Sequence, residues 1–400
     1  MRFKMSSFKK ASVAAVLSLA VIFGSGAVAV AEANPDGVVR TYNTYPGRIT
    51  GMVAPNAQVS DGTFTSTDGK GTQIYSKKNI VPNAKASVAL IHGLAENQER
   101  YDYITYRLNL AGYNVYRLDH RGHGRSAEPY NNVPKALIDN FNFVIDDMKQ
   151  LVDMIHNEQQ GKVFMMGHSM GALATQMYSI TYPETIDATI TNGGGVPVNN
   201  YGENTLMPEY KHADGQSYPF FIGPYLPNDG KRPFEPLDAA LGYDVQGVLD
   251  HFGVKLPADA GKPVESPEIL QKTELPPEFL AKAGVGNPFK LGVVSDPDAR
   301  DQLSYDPLNS QIANASTLYQ GAAAFLYCGA HAKNYTKPTL IMHGDTDGLV
   351  PYPMDINWYN AVGSTDKHMV LWKDSMHETM NEPSRDEVID RAVEFLDNHL

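Results

Sequence analysis

Lys162-Val163-Phe164-Met165-Met166-Gly167-His168-Ser169-Met170-Gly171 joins an apolar run to a sharp turn, and Ala172-Leu173-Ala174-Thr175-Gln176-Met177-Tyr178 carries on from it as a helix-forming segment. Residues 162–166 have the length and composition of a fully buried strand, and residues 172–178 those of a buried helix. Between them Gly167-His168-Ser169-Met170-Gly171 fits G-x-S-x-G. Composition alone would produce that pattern about 0.15 times in a chain of this make-up, so the flanking strand and helix carry the inference. A strand-to-helix turn this tight forces Ser169 into a strained backbone conformation, while the glycines let neighbouring segments approach. The hydroxyl is then presented at the carboxyl edge of a sheet, beside a helix N-terminus. The competing reading is a serine that merely caps the helix.

Working outward, residues 87–91 form an apolar run stopped by His92-Gly93, and residues 114–118 another stopped by Asp119. Ile104, Leu108 and Ala111 between them fall on one helical face, and Phe141, Val144, Ile145, Met148, Leu151, Val152 and Ile155 follow helical spacing. Residues 64–67 and 73–76 around Asp68-Gly69 read as a hairpin. Alternation pauses after 188–191 and resumes with strands at 339–342 and 368–372, a helix at 355–361, and a closing helix. Ser384 and Glu387 have capping-box spacing ahead of its stripe of Val388, Ile389, Ala392, Val393 and Leu396. Strands alternating with helices predict an α/β fold, a mainly parallel sheet with helices on both faces. The expected organisation is an irregular lead-in at 34–60, a core at 61–195 and 336–400, and a proline-rich inserted cap at 196–335. The cap is expected to hold shorter helices near 237–249, 277–283 and 313–326.

The 400 residues are 42% apolar and 20% charged, which excludes overall disorder. The formal charge is −12, and residues 1–33 hold Arg2, Lys4, Lys9 and Lys10 against one acid, Glu32, so the remainder is more acidic still. Nucleic-acid partners are therefore not expected. Cys328 is the single cysteine, so no internal disulfide can form, and its neighbours Phe325 and Leu326 suggest a buried apolar role. The basic start, the uncharged run 11–31 and the alternating Ala27, Ala29, Ala31 and Ala33 read as a cleaved signal peptide over 1–33. That predicts a secreted or periplasmic protein; an uncleaved membrane anchor is the competing reading.

A serine hydroxyl is a weak nucleophile until a base takes its proton, and the base needs an orienting carboxylate. The strand at 339–342 runs into His343-Gly344-Asp345-Thr346-Asp347, and His377 lies in a loop after the strand at 368–372. Loops at the carboxyl edge of one parallel sheet converge, so Ser169, Asp347 and His377 can meet. Asp345 is the alternative acid, with turn-capping as its plain role. His368 alternates on a strand and makes a poor base, while His92 and His168 flank the loops and suit supporting hydrogen bonds. Backbone amides of Met170, just after the serine, and Leu94, after the strand at 87–91, are the candidate oxyanion donors. No His, Cys or carboxylate cluster has metal-site spacing, Asp296 and Asp298 around Pro297 read as turn residues, and neither metal nor cofactor is expected.

With His92-Gly93-Leu94-Ala95-Glu96 and Arg100-Tyr101, Asp119-His120-Arg121-Gly122-His123-Gly124-Arg125-Ser126, Gly167 to Gly171, and Gly344 to Asp347 with His377, the chain resembles the alpha/beta-hydrolase superfamily. It is most similar there to the monoglyceride lipase, lysophospholipase and serine-aminopeptidase group. The resemblance covers about 61–195 and 336–400. It implies triad roles for Ser169, Asp347 and His377 and oxyanion roles for Leu94 and Met170. Ala95, Asn97 and Ala172 depart from the lipase pattern, which commonly shows Gly, His and Gly. The expected activity is hydrolysis of a small-molecule or lipid ester, such as a monoacylglycerol or lysophospholipid. A serine aminopeptidase would instead use cap carboxylates such as Glu203, Glu209, Glu235 or Asp238 to hold an amine, and a non-catalytic secreted binding protein is the third reading. Tyr201, Tyr210, Phe220, Phe221, Tyr225 and Leu226 would form an apolar lid or touch a membrane surface transiently, against the plainer role of cap packing.

Overall fold

The computed structural model describes residues 50–196, 205–207, 209–211, 220–222, 261–275, 293–310, 313–347, 349–350 and 352–400. Residues 1–33, the helices expected near 237–249 and 277–283, and the side chains of the aromatic lid candidates lie outside the described residues.

The main sheet is built from β1 (Gln58–Thr65), β2 (Gln73–Ile80), β3 (Ala86–Ile91), β4 (Tyr113–Leu118), β5 (Val163–His168), β6 (Ala188–Asn192), β7 (Glu209–Lys211), β8 (Thr339–Gly344) and β9 (Lys367–Trp372). Their order is β1-β2-β4-β3-β5-β6-β8-β9-β7; the pairs β1/β2 and β2/β4 are antiparallel, and the rest are parallel. The mainly parallel sheet is as expected. β1 begins at Gln58, inside the interval expected as lead-in, and pairs along its whole length with β2. Nearly all of β1 is exposed, so no buried face stamps alternation on its sequence. β7 lies inside the interval expected to be cap, yet it extends the sheet at β9.

Helices α1 (Asp102–Leu110), α2 (Phe141–Glu158), α3 (Met170–Thr181), α4 (Pro297–Tyr305), α5 (Ala315–His331), α6 (Pro353–Ala361) and α7 (Arg385–Asp397) complete the frame. Successive strand residues face opposite layers: Ala89, Ile91, Met165, Ile341 and Leu371 join α2, α3, α5 and α6, whereas Val88, Leu90, Met166, Met342 and Trp372 join α1 and α7. Each fully buried Leu, Ile, Met or Phe stabilises by roughly 1.5–3 kcal/mol, so the two layers clamp the sheet between them. α5 also falls in the interval expected to be cap, and it packs on α3. Its Cys328 is fully buried, and burial pushes the thiol far above its ordinary range. Asp296 is not a turn residue: its carboxylate accepts from Asp298 N and Ala299 N, capping α4 with Pro297 in the first turn. Ser384 does precede α7, but its side chain makes no cap hydrogen bond there.

Register sets up the site. Ile91 lies beside Gly167, His168 beside Asn192, Asn192 beside Met342, and Gly344 beside Trp372. Five parallel strands therefore end in one row, and the loops that follow them share one rim.

Candidate active site

Ser169 sits between β5 and α3 with φ +55° and ψ −121°. That conformation costs a residue with a Cβ on the order of 1–3 kcal/mol, and the surroundings enforce it. Ser169 N donates to Asn192 O at 2.9 Å, and Leu173 N donates to Ser169 O at 3.1 Å. A Cβ at Gly167 would lie 2.2 Å from Gly171 O, and one at Gly171 would lie 2.3 Å from Ile91 O, so both flanks must be glycine. Met170 opens α3, where the first amides have no partner inside the helix.

On one side of Ser169 stands His377, in the loop after β9. Its Nδ1 is 2.7 Å from Asp347 Oδ2, and its buried Nε2 has no hydrogen-bond partner among the described residues. Ser169 and His377 line one cavity of about 30 Å³, together with Leu94, Glu96, His168, Val293, Leu303, Leu349 and Glu378. The Asp347 side chain is buried, and its Oδ1 accepts from Leu349 N and Val350 N, each at 2.8 Å. Burial alone would raise its carboxyl, but the His377 charge and the hydrogen bonds from His343 and His377 hold it well below the usual carboxylate range. Asp345, the alternative acid, turns instead to Lys373, with 3.1 Å between Oδ2 and Nζ.

The remaining histidines divide as their positions suggest. His368 is half-exposed and pairs with Asp366 at 3.1 Å. His168 Nδ1 accepts from Asn192 Nδ2 at 2.8 Å, and its ring lies 4.7 Å from that of His377. Burial and the neighbouring His377 charge push His168 well below its ordinary value, leaving it neutral. His92 is also fully buried; burial lowers it to about 4, and its Nε2 accepts from His120 N at 2.9 Å.

On the other side of Ser169 lies the loop after β3. A Cβ at Gly93 would approach Ser169 Cβ to 3.0 Å, so Leu94 follows a backbone already touching the serine. Glu96 fixes this loop: its Oε1 accepts from Gly93 N at 2.6 Å and from Tyr101 OH at 2.7 Å. Arg100, with no exposed side-chain surface, joins Glu96 to Glu378 through contacts of 2.8 and 2.5 Å. Of the three departures from the lipase pattern, Asn97 gains a reason in the structure. Ala95 has φ +62°, a conformation easier for the more common glycine. Asn97 accepts from Glu99 N at 2.9 Å and donates to Asp306 and Asn309 at 2.8 Å each, tying the loop to the segment after α4.

Sequence reasoning missed two members of the acid cluster. His343 Nδ1 is 2.7 Å from Asp355 Oδ2, and His343 Nε2 is 3.0 Å from Asp347 Oδ2. The signal that would have found them is a histidine at the strand end, four residues before the acid. Among the described residues no group of three or more His, Cys, Asp or Glu is placed to hold a metal ion, and no helix is long and apolar enough to cross a membrane.

Comparisons place this geometry among known proteins. A family described as "Serine aminopeptidase, S33" (Hydrolase_4) matches residues 82–215 and 268–384. A monoacylglycerol lipase of Mycolicibacterium smegmatis is 26% identical over 315 residues, covering 78% of this chain and 88% of that protein. A probable lysophospholipase L2 of Haemophilus influenzae is 30% identical over 106 residues, covering 25% of this chain and 32% of that protein. Among solved structures, a soluble variant of monoglyceride lipase from Saccharomyces cerevisiae aligns with a TM-score of 0.60 at 19% identity, over 89% of this chain and 98% of that one. The monoacylglycerol lipase of Paleococcus ferrophilus aligns with a TM-score of 0.55 at 19% identity, over 86% of this chain and all of the other.

Proposed function

The chain belongs to the Hydrolase_4 family and has the α/β-hydrolase fold, and from that premise we propose that this serine ester hydrolase cleaves monoacyl lipids through an acyl-enzyme. The observation that carries the reading is the shared cavity: Ser169 and His377 line it together, with His377 Nδ1 held by Asp347 and Nε2 unpartnered. In this reading His377 Nε2 takes the Ser169 proton as Oγ attacks the ester carbonyl, and Asp347 keeps the imidazole in the tautomer that can do so. The amides of Leu94 and Met170 donate to the oxyanion. The tetrahedral intermediate collapses, the alcohol leaves with the proton from His377, and a water activated by the same nitrogen releases the fatty acid and restores Ser169.

The cavity wall supports a lipid ester. Leu94, Val293, Leu303 and Leu349 offer an apolar side to an acyl chain, and Glu96 and Glu378 line the opposite side. These two carboxylates are already paired with Arg100, which disfavours them as a seat for a substrate ammonium and so weighs against aminopeptidase action. We read residues 1–33 as a signal that sends the protein out of the cytoplasm, with the aromatic residues of 201–226 meeting lipid at a membrane surface. The test is to label the mature protein with a fluorophosphonate and then compare turnover of monoacylglycerols with that of aminoacyl anilides. Labelling at Ser169 and preference for the ester are expected; absent labelling would favour a binding protein, and preference for anilides would favour the peptidase. N-terminal sequencing of protein recovered from the medium or periplasm checks the leader.

A further inference from the structure

His343, the penultimate residue of β8, has no exposed side-chain surface, yet both of its ring nitrogens face acceptors. Nδ1 is 2.7 Å from Asp355 Oδ2; Nε2 is 2.8 Å from Val350 O and 3.0 Å from Asp347 Oδ2. A neutral imidazole carries one N–H and would set its other lone pair against an oxygen, so this surrounding selects the doubly protonated ring. Asp355 is anchored in turn by the first turn of α6 and by Gly194 N, which donates to Oδ2 at 3.2 Å.

We infer that His343 and Asp355 form a positioning pair that holds Asp347 from behind and keeps a positive charge beside it, which tempers the pull of that carboxylate on a proton carried by His377. Asp347 Oδ2 is shared: His377 Nδ1 approaches at 2.7 Å from one side and His343 Nε2 at 3.0 Å from the other. A lone buried carboxylate would pull a proton strongly onto His377 and spoil the base. A second cation on the same oxygen offsets part of that pull. The charged and titratable groups around this chain are Asp347 from the loop after β8, Asp355 from α6, and His377 with Glu378 from the loop after β9. His168 of β5 packs on the far face of His377. Burial opposes a charge on His343, but the hydrogen bonds to Asp347 and Asp355 outweigh it and raise the ring to about 10.

The inference takes from the proposed function only that His377 is the base, and its main test needs no turnover. In the ¹⁵N-histidine-labelled full chain, His343 is expected to give the spectrum of an imidazolium near neutral pH, and a neutral tautomer would overturn the proposal. In His343→Gln and His343→Asn, the titration midpoint of His377 is expected to rise by about one unit. The acid limb of fluorophosphonate labelling at Ser169 should move with it, while the rate on the alkaline plateau stays within a few-fold of wild type. A purely structural role would lower labelling at every pH without moving the midpoint, and an unchanged midpoint in either folded variant overturns the inference. If one variant does not fold by circular dichroism, the other decides; if neither folds, the wild-type His343 spectrum decides. Failure of the wild type to label would strike the proposed function and leave the His377 midpoint readable.

Discussion

Two buried charge clusters flank Ser169, and each places one cation between two carboxylates. Beside the loop after β3 the cation is Arg100, between Glu96 and Glu378. Behind His377 it is His343, between Asp347 and Asp355. The two have similar geometry and different chemistry. A guanidinium stays charged at any pH the protein meets, so the loop cluster is a fixed brace. An imidazole can release its proton, so the acid cluster is adjustable. The brace sets where the loop lies; the adjustable cluster sets how readily a proton moves.

The largest expected effect removes what both clusters serve. Ser169→Ala should abolish fluorophosphonate labelling. Asp347→Asn should cut ester turnover on the order of 10³–10⁴-fold by leaving His377 in the wrong tautomer, measured as kcat/KM on a monoacyl ester. Next comes the brace: Arg100→Met strands two buried carboxylates and should cost about 3–5 kcal/mol, read from urea unfolding near neutral pH. A loss no larger than that of an exposed ion pair would erase the contrast between the clusters.

The adjustable cluster should show itself in the pH dependence of stability. His343 is raised from 6.5 to about 10, so its contribution is fully present below the unfolded value and is lost as pH rises through about 10. Wild type should therefore lose unfolding free energy between those limits, and His343→Gln should flatten that slope, whereas Arg100 contributes no slope there. The smallest effect is expected from Asp345→Asn, which should leave turnover within about twofold, since Asp345 faces Lys373 and not His377.

The row of strand ends, the shared cavity of Ser169 and His377, and the pairing of His377 with Asp347 were legible because local rules announce them. Gly167 and Gly171 mark a turn that only glycine fits, and apolar runs at β3, β5, β6 and β8 mark buried strands. Asp347 and His377 followed from the ends of two such runs. His343 and Asp355 were not legible, because their pairing is made by packing α6 against β8, and a histidine on a buried strand reads as core. Only the first part of β1, before the hairpin arm at 64–67, hid, because both of its faces are exposed. The helix of α5 was legible near 313–326, but its place was not, because prolines around it suggested an insertion while its own apolar residues belong to the same layer as α3. Asp296-Pro297 did carry a helix-start signal, but the second aspartate drew the reading toward a turn.

The elbow has a consequence for anyone who would give this scaffold another reaction. The tight space lies at Gly167 and Gly171, where an added carbon would meet main-chain atoms, and not at the Ser169 side chain, which opens into the cavity. Redesign can therefore exchange the reactive atom at the apex of the bend while the two bare neighbours stay as they are. The scaffold is permissive about the tool and strict about its handle.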